Sequence, residues 1–376
     1  MSTPPEPTFR WLRTGRETLE AMLEAINSAT VSVRLEMYIF ADSPVGERFR
    51  QALLRSCARG VRVRVLIDAL GSLTLSESFW SPLQKVGGEF RWFNPLSLRR
   101  LAYRNHRKIL VCDERVALTG GINIAPEYEG DGVTSGWCDL GLILGGPPAV
   151  ALAETFDDLF EQAEARHKRF QPLRRARIQV AAGAQWKLLL SGPGRRHGEI
   201  KRALARDIEQ ARSVQIVCAY FLPTWKLRRE LVRAVRRGAR VQLILAGRSD
   251  VRLSQLASRR LYASFLRRGI EIYEYEPQIL HAKLFILDGI AYAGSSNLDT
   301  RSLQINYELA VRLEIPSVAA EGREIFLDLL RHSRRIDPAT WRRSRTFVQK
   351  LQEAWAYLIL GRLDPWLARW QVRPLK

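Results

Sequence analysis

The chain has 376 residues, with 59 Lys+Arg against 39 Asp+Glu and a formal net charge of +20. Its 46% hydrophobic and 26% charged residues exclude a disordered chain, and the length suits two ordinary domains or one large one. No apolar run reaches about 18 residues, so a spanning helix is not expected; Met1–Pro5 lacks the charged-then-apolar order of a secretory leader, so export by such a segment is not expected either.

Taken in chain order, the predicted elements begin with a helix-period segment, Glu17 to Asn27, and a β-branched strand, Val31 to Phe40. An amphipathic helix follows and ends on Gly60 as its C-cap, before an apolar strand of the parallel type, Val61 to Ile67. Residues 164 to 184 form a basic seam. Arg166, Lys168, Arg169, Arg174, Arg175 and Arg177 cluster there around Pro172 without an acid between 165 and 178. Beyond it the series returns: helix Ile200 to Gln210, strand Val214 to Phe221, capping Gly238, strand Ala239 to Leu245.

The residues themselves repeat as well. Arg59-Gly60-Val61-Arg62-Val63 resembles Arg237-Gly238-Ala239-Arg240-Val241 at an offset of 178; Met37-Tyr38-Ile39 echoes Ala219-Tyr220-Phe221 at 182, and His106-Arg107-Lys108 echoes His281-Ala282-Lys283 at 175. Offsets that shrink smoothly describe a duplication with small deletions. Strand–helix–strand units with crossover helices place the chain in the α/β class, each half a mixed, mostly parallel sheet flanked by helices. The expected organisation is a first domain over 1–170, a basic linker over 171–184, a second domain over 185–336, and a basic, Trp-rich C-terminal segment over 337–376.

Cys57, Cys112, Cys138 and Cys218 show no CxxC spacing. They are expected to be small buried thiols of a reducing compartment, and no zinc site is expected.

The chemistry lies in two runs, His106-Arg107-Lys108 through Asp113 and His281-Ala282-Lys283 through Asp288, both reading H-x-K-x4-D. Each has strand composition. His and Lys two apart on a strand share a face, about 7 Å apart, and both reach one phosphate. The aspartate is an odd number of residues past the histidine and points away. Asp288-Gly289 is a hairpin-turn dipeptide. Asp113 and Asp288 are therefore read as turn and support residues. A glycine turn with an asparagine follows each run, Gly120-Gly121-Ile122-Asn123 and Gly294-Ser295-Ser296-Asn297. There, backbone N–H groups and the amides of Asn123 and Asn297 can approach an anion.

With these motifs the chain resembles the phospholipase D superfamily, whose signature is H-x-K-x4-D-x6-G-[GS]-x-N. The first copy matches fully; the second has five residues between Asp288 and Gly294, one short, so a tighter turn is expected there. Phe93-Asn94-Pro95-Leu96, Asn105 through Val111, Thr119 through Ala125, and Ser296-Asn297-Leu298-Asp299-Thr300-Arg301-Ser302 make the likeness strongest to bacterial cardiolipin synthases, over roughly residues 15 to 330. The likeness is to the shorter variety without membrane-spanning helices at the start.

The resemblance implies two tandem phospholipase D-like domains related by a pseudo-twofold axis, with one active site at their interface. One histidine attacks the phosphodiester phosphorus, giving a phosphohistidine, and the other protonates the departing alkoxide and then deprotonates the acceptor. Family analogy makes His106 the nucleophile and His281 the acid/base, though the near symmetry of the sequence supports the reverse equally. Lys108 and Lys283 neutralise the charge that grows on phosphorus, so no metal or other cofactor is expected. The acid that orients each histidine is expected downstream of each asparagine: Asp139 in the first copy, Glu308 in the second. Glu36 sits on a strand near the site, either bracing a lysine or filling a strand end. His167 and His332, in Arg-rich surroundings, are expected to face solvent; His197 is either a headgroup contact or part of a loop before a helix.

Trp341, Trp355, Trp366 and Trp370 fall in the last 36 residues, and 331–376 carries eleven Lys+Arg against three acids. The apolar run Ala354–Leu360 is too short to span a bilayer but suits its interface. The alternative is a C-terminal helix packed on the second domain. The expected partners are anionic phospholipid and a membrane surface, with peripheral attachment at the cytoplasmic face of the cell membrane. Nucleic acid is not expected; the competing readings are a phospholipase D-type phosphodiesterase acting hydrolytically on phospholipid and, for so basic a chain, a nuclease of the same superfamily.

Overall fold

A computed structural model gives the fold and describes residues 6–95, 103–164, 184–193, 198–341 and 343–364. The expected basic linker, apart from Ala184, lies outside the described residues, as do His167, His197, Trp366 and Trp370.

The first half runs β1 (Thr8–Leu12), α1 (Gly15–Ser28), β2 (Ser32–Met37), α2 (Pro44–Ala58), β3 (Arg62–Asp68), α3 (Ser81–Lys85), β4 (Glu89–Phe93), β5 (Ile109–Cys112), β6 (Val116–Gly120), β7 (Gly141–Gly145), α4 (Pro147–Glu164). The second runs β8 (Trp186–Ser191), α5 (Glu199–Gln210), β9 (Ser213–Cys218), α6 (Trp225–Arg236), β10 (Arg240–Ala246), α7 (Arg252–Leu266), β11 (Glu271–Tyr275), β12 (Lys283–Leu287), β13 (Ile290–Gly294), α8 (Thr300–Gln304), β14 (Glu308–Leu313), α9 (Pro316–Arg331), β15 (Ser333–Arg335), α10 (Pro338–Trp341), α11 (Phe347–Leu358). Local signals explain the boundaries. Thr14 Oγ accepts from the Glu17 N–H at the start of α1, and Ser43 with Pro44 opens α2. Gly60 (φ 84°) and Gly238 (φ 91°) take the left-handed conformation that ends α2 and α6.

The first sheet has the order β1-β7-β6-β5-β2-β3-β4, the second β15-β11-β10-β9-β12-β13-β14-β8. From β11 to β8 the second repeats the first in reverse, strand for strand, so the duplication is visible in space. The expectation of mostly parallel sheets is corrected. Among the described strands only β2–β3, β3–β4, β9–β10 and β10–β11 pair in parallel. The other pairings are antiparallel. Crossover helices impose parallel pairing only on the strands they join, whereas each H-x-K run enters a hairpin, which pairs antiparallel. The one-residue deficit of the second motif falls in that hairpin: Cys112 pairs with Val116, but Leu287 pairs with Ile290.

Side-chain alternation on these hairpins ties the halves together. Leu110 and Cys112 face the first half's own core, while Ile109 and Val111 face a core common to both halves. Phe285 and Leu287 likewise face the second half's own core, Leu284 and Ile286 the common one. Phe156 and Phe160 of α4 and Phe326 of α9 fill that common core, and Trp11 Nε1 donates to Val318 O at 3.0 Å across it. Burying each such side chain stabilises the two-lobed body by about 1.5–3 kcal/mol.

Candidate active site

The H-x-K runs are extended lead-ins rather than strands: β5 starts just after Lys108 and β12 starts at Lys283. Each lead-in pairs with the opposite half. The His106 N–H donates to Tyr307 O at 2.9 Å, and Tyr307 N–H returns to Arg104 O at 2.9 Å. The His281 and Ala282 N–H groups donate to Cys138 O at 2.8 and 2.9 Å. The residue after each of those partners is a carboxylate, so each histidine meets an acid from the other half. Asp139 Oδ2 accepts from His281 Nδ1 at 2.6 Å, and Glu308 Oε2 from His106 Nδ1 at 3.1 Å. A proton held on Nδ1 by a carboxylate leaves the Nε2 lone pair free to act as base or nucleophile. Lys108 Nζ donates to His106 O at 2.7 Å, and Lys283 Nζ donates to His281 O and lies 3.0 Å from His281 Nδ1.

Burial governs the charges here. It pushes His106 down to about 4, against the opposing pull of Glu308. It pushes Lys108 down to about 7, again against Glu308, with Lys283 adding to the depression. His281 and Lys283 are lowered by burial too. Burial would raise Asp139, but Lys283 and His281 outweigh it and hold the carboxyl below its ordinary value. Charges from both motifs thus act on one another within a single site. Lys108 and Lys283 are both buried, and a phosphodiester held between them would stabilise both ammonium groups.

The pH dependence follows with its sign. Neutral His106 and protonated Lys108 coexist between about pH 4 and 7. kcat/KM is expected to be highest in that window and to fall as pH rises through about 7, where Lys108 loses its proton. A requirement for protonated His281 would only lower this limb further. At saturating substrate the limb should move upward, because bound phosphate favours the ammonium. Rates measured from pH 4 to 9 check this; a kcat/KM flat to pH 9 would contradict it.

The glycine turns hold the carboxylates. A Cβ on Gly120 would lie 2.3 Å from Leu140 O, and one on Gly294 2.2 Å from Leu309 O. A Cβ on Gly121 would lie 2.2 Å from Asp139 Oδ1; at the equivalent position Ser295 Oγ instead donates to Glu308 Oε2. Asn123 Oδ1 accepts from Ile39 N–H at 3.1 Å, and Asn297 Oδ1 from Tyr220 N–H at 3.2 Å. These bonds pull the chain out of β2 and β9 after Met37 and Cys218, short of the expected Phe40 and Phe221. Asn123 Nδ2 donates to Tyr128 Oη at 2.8 Å, so part of its donor capacity is spent within the protein. Asp113 takes up a left-handed turn (φ 55°) and accepts from the N–H groups of Thr30, Val31 and Ser32; Asp288 (φ 51°) accepts from those of Arg212 and Ser213. Both tie the hairpin to the start of the neighbouring strand.

Several contacts were not legible from the motifs. Tyr38 packs edge-on to His106 at 4.8 Å between ring centroids, while Tyr128, Trp137 and Tyr220 surround His281 at 5.6, 5.5 and 6.3 Å. The repeat held a signal for two of them, since Tyr38 and Tyr220 are equivalent. Glu36 braces neither lysine. It is fully buried against Arg107 Nη2 at 2.7 Å and accepts from Asn105 Nδ2 at 2.7 Å, flanking His106 on both sides. His332 lies half-buried at the end of α9, its Nδ1 3.1 Å from Asp328 O, rather than fully in solvent.

A family model described as cardiolipin synthase, PLD-like domain, matches residues 22–163 and 204–330. The chain belongs to this family. It is 31% identical over 334 residues to the cardiolipin synthase of Geobacillus thermodenitrificans, covering 87% of this chain and 66% of that protein. It is 34% identical over 308 residues to cardiolipin synthase B of Salmonella typhi, covering 79% and 74%. The chain thus spans about two thirds of the first relative's length. The fold is also that of phosphatidylserine synthase from Haemophilus influenzae Rd KW20, with a TM-score of 0.76 at 14% identity over 96% of this chain and 95% of that one.

Proposed function

We propose that the protein is a cardiolipin synthase-type phosphatidyltransferase, moving a phosphatidyl group between phosphatidylglycerol molecules. The observation that carries this is the pair of cross-half His–carboxylate contacts, His106–Glu308 and His281–Asp139, beside two buried lysines. In the proposed cycle His106 Nε2 bonds to the phosphorus of the donor, and the bond to the departing glycerol oxygen breaks. His281 gives that oxygen a proton, and glycerol leaves. The hydroxyl of a second phosphatidylglycerol then loses its proton to His281 and attacks phosphorus, breaking the P–N bond. Lys108 and Lys283 meet the charge on the nonbridging oxygens as it grows. Incubation with labelled phosphatidylglycerol should yield cardiolipin and free glycerol. Phosphatidic acid alone would mark a hydrolase, and plasmid nicking without lipid turnover would mark a nuclease.

The C-terminal helix fits a lipid surface. Among the described residues no helix is long and apolar enough to cross a membrane. Trp341 of α10 is buried against Tyr262, and in α11 Glu353 is buried and Ala356 joins the second half's core, so one face of α11 packs on the protein. Its other face leaves Phe347 (81%), Val348, Leu351, Trp355 (57%), Leu358, Ile359 and Leu363 exposed at helical spacing, flanked by exposed Lys350 and Arg362. Flotation with phosphatidylglycerol vesicles should show Leu351→Asp with Trp355→Ala lowering membrane partitioning about tenfold or more. Unchanged partitioning would dismiss this face as the membrane contact.

A further inference from the structure

The two sides of the site differ in a way the duplication does not require. After Asn123 the chain makes a short turn over Pro126–Tyr128 that lays Tyr128 against His281. After Asn297 it makes α8 instead, with Arg301 in its first turn. The Arg301 carbonyl accepts from Asn306 N–H at 2.8 Å, and Asn306 Oδ1 accepts from Arg104 N–H at 3.2 Å. Arg301 and Arg104 therefore hang from one hydrogen-bonded pair of segments, two residues upstream of His106. The His281 side is walled by aromatic rings, whereas on the His106 side Tyr38 feels the charges of Arg104 and Arg301.

Each guanidinium is poised for an anion. Arg104 is 3% exposed; its Nη1 donates to Asn94 O at 3.2 Å and lies 3.8 Å from Asp68 Oδ1. Its Nε and Nη2 have no hydrogen-bond partner among the described residues. Arg301, whose side chain is 40% exposed, forks onto Asp364, with Nε donating to Oδ2 at 2.6 Å and Nη2 to Oδ1. Asp364 follows the π-helical turn Ile359–Leu363 that extends α11, so this carboxylate reaches Arg301 from the C-terminal helix. Both guanidiniums also act on the Tyr38 hydroxyl, opposing the rise that burial and Asp68 produce. A planar fork that grips a carboxylate in two-pronged fashion grips a phosphodiester equally well.

We propose that Arg301, backed by Arg104, is the subsite for the anionic phosphodiester of the acceptor lipid, and that Asp364 occupies this subsite until the acceptor arrives. The inference rests on the transfer reading above. An acceptor phosphatidylglycerol attacks through its terminal hydroxyl while its own phosphate, one glycerol away, carries a full negative charge. That charge needs a cradle separate from the one Lys108 and Lys283 give the donor. The product carries two phosphates, one for each cradle.

The test compares two acceptors in the full-length chain: cardiolipin formation from phosphatidylglycerol, and exchange of labelled glycerol, an uncharged acceptor, into phosphatidylglycerol. Arg301→Gln is expected to lower the ratio of cardiolipin formation to glycerol exchange about tenfold or more. Arg301→Lys should recover part of that ratio, and Asp364→Asn should lower KM for the lipid acceptor. Because the ratio is taken within one variant, a loss of folded protein cancels. A ratio unchanged by Arg301→Gln, whether or not both rates fall, would overturn the subsite while leaving the transfer reading intact. A wild-type chain that forms no cardiolipin yet exchanges glycerol would overturn the subsite and the lipid acceptor together; failure of both reactions would remove the transfer reading itself.

Discussion

Replacing Glu308 by Gln is expected to lower kcat by about 10³–10⁴-fold, with KM little changed, and Asp139→Asn should do the same through the other histidine. Neither carboxylate lies in the half whose histidine it holds: Glu308 meets His106 and Asp139 meets His281. A carboxylate accepts the Nδ1 proton and fixes the tautomer that exposes the Nε2 lone pair. An amide of the same shape can donate to Nδ1 instead, and the ring then presents Nε2–H, which neither attacks phosphorus nor takes a proton. Volume and packing are conserved, so the defect should appear in turnover and not in folding. Steady-state rates on phosphatidylglycerol check this. A loss under about tenfold in both variants would mean that these carboxylates do not set the tautomers.

The second large effect concerns stability. Glu36 and Arg107 are both fully buried, joined at 2.7 Å, and Arg107 leaves Nε and Nη1 without a hydrogen-bond partner among the described residues. Removing one charge strands the other in a medium that cannot solvate it, at a cost of about 3–5 kcal/mol. Glu36→Ala should therefore destabilise the chain by that amount in chemical denaturation. It should also slow turnover, because Asn105 and Arg107 bracket His106 and both hydrogen-bond Glu36. Replacing the pair together, Glu36→Leu with Arg107→Met, should recover most of the stability, since a matched apolar pair escapes the desolvation cost. A Glu36→Ala chain as stable as the parent would refute this.

The sequence was most informative where chemistry and periodicity coincide. The H-x-K pairs, the glycine turns and the capping glycines could be read directly, because each is a short run whose residue types have few alternative uses. The duplication was legible for the same reason. What could not be read were relations between distant segments. The balance of parallel and antiparallel pairs depends on which strands become neighbours, and only the hairpins hinted at it. That Glu308 belongs to His106, and Asp139 to His281, depends on the Asn105–Tyr307 and Cys138–Leu280 bridges between halves, for which local sequence carries no signal. Arg107 sits between His106 and Lys108, where the motif accepts any residue, and only its burial against Glu36 shows that it is structural. The C-terminal segment divides between two helices: Trp341 of α10 belongs to the core and Trp355 of α11 to the surface, a distinction that composition cannot draw.

The most direct test is to trap the intermediate. Labelled phosphatidylglycerol mixed with the wild-type chain, quenched rapidly under alkaline conditions and mapped by peptide mass spectrometry, should yield a phosphatidyl adduct, acid-labile and bonded to His106. The same experiment on His106→Ala should yield none. An adduct on neither histidine in any variant, with wild-type chains still turning lipid over, would contradict attack by imidazole and with it the shared site between the two halves.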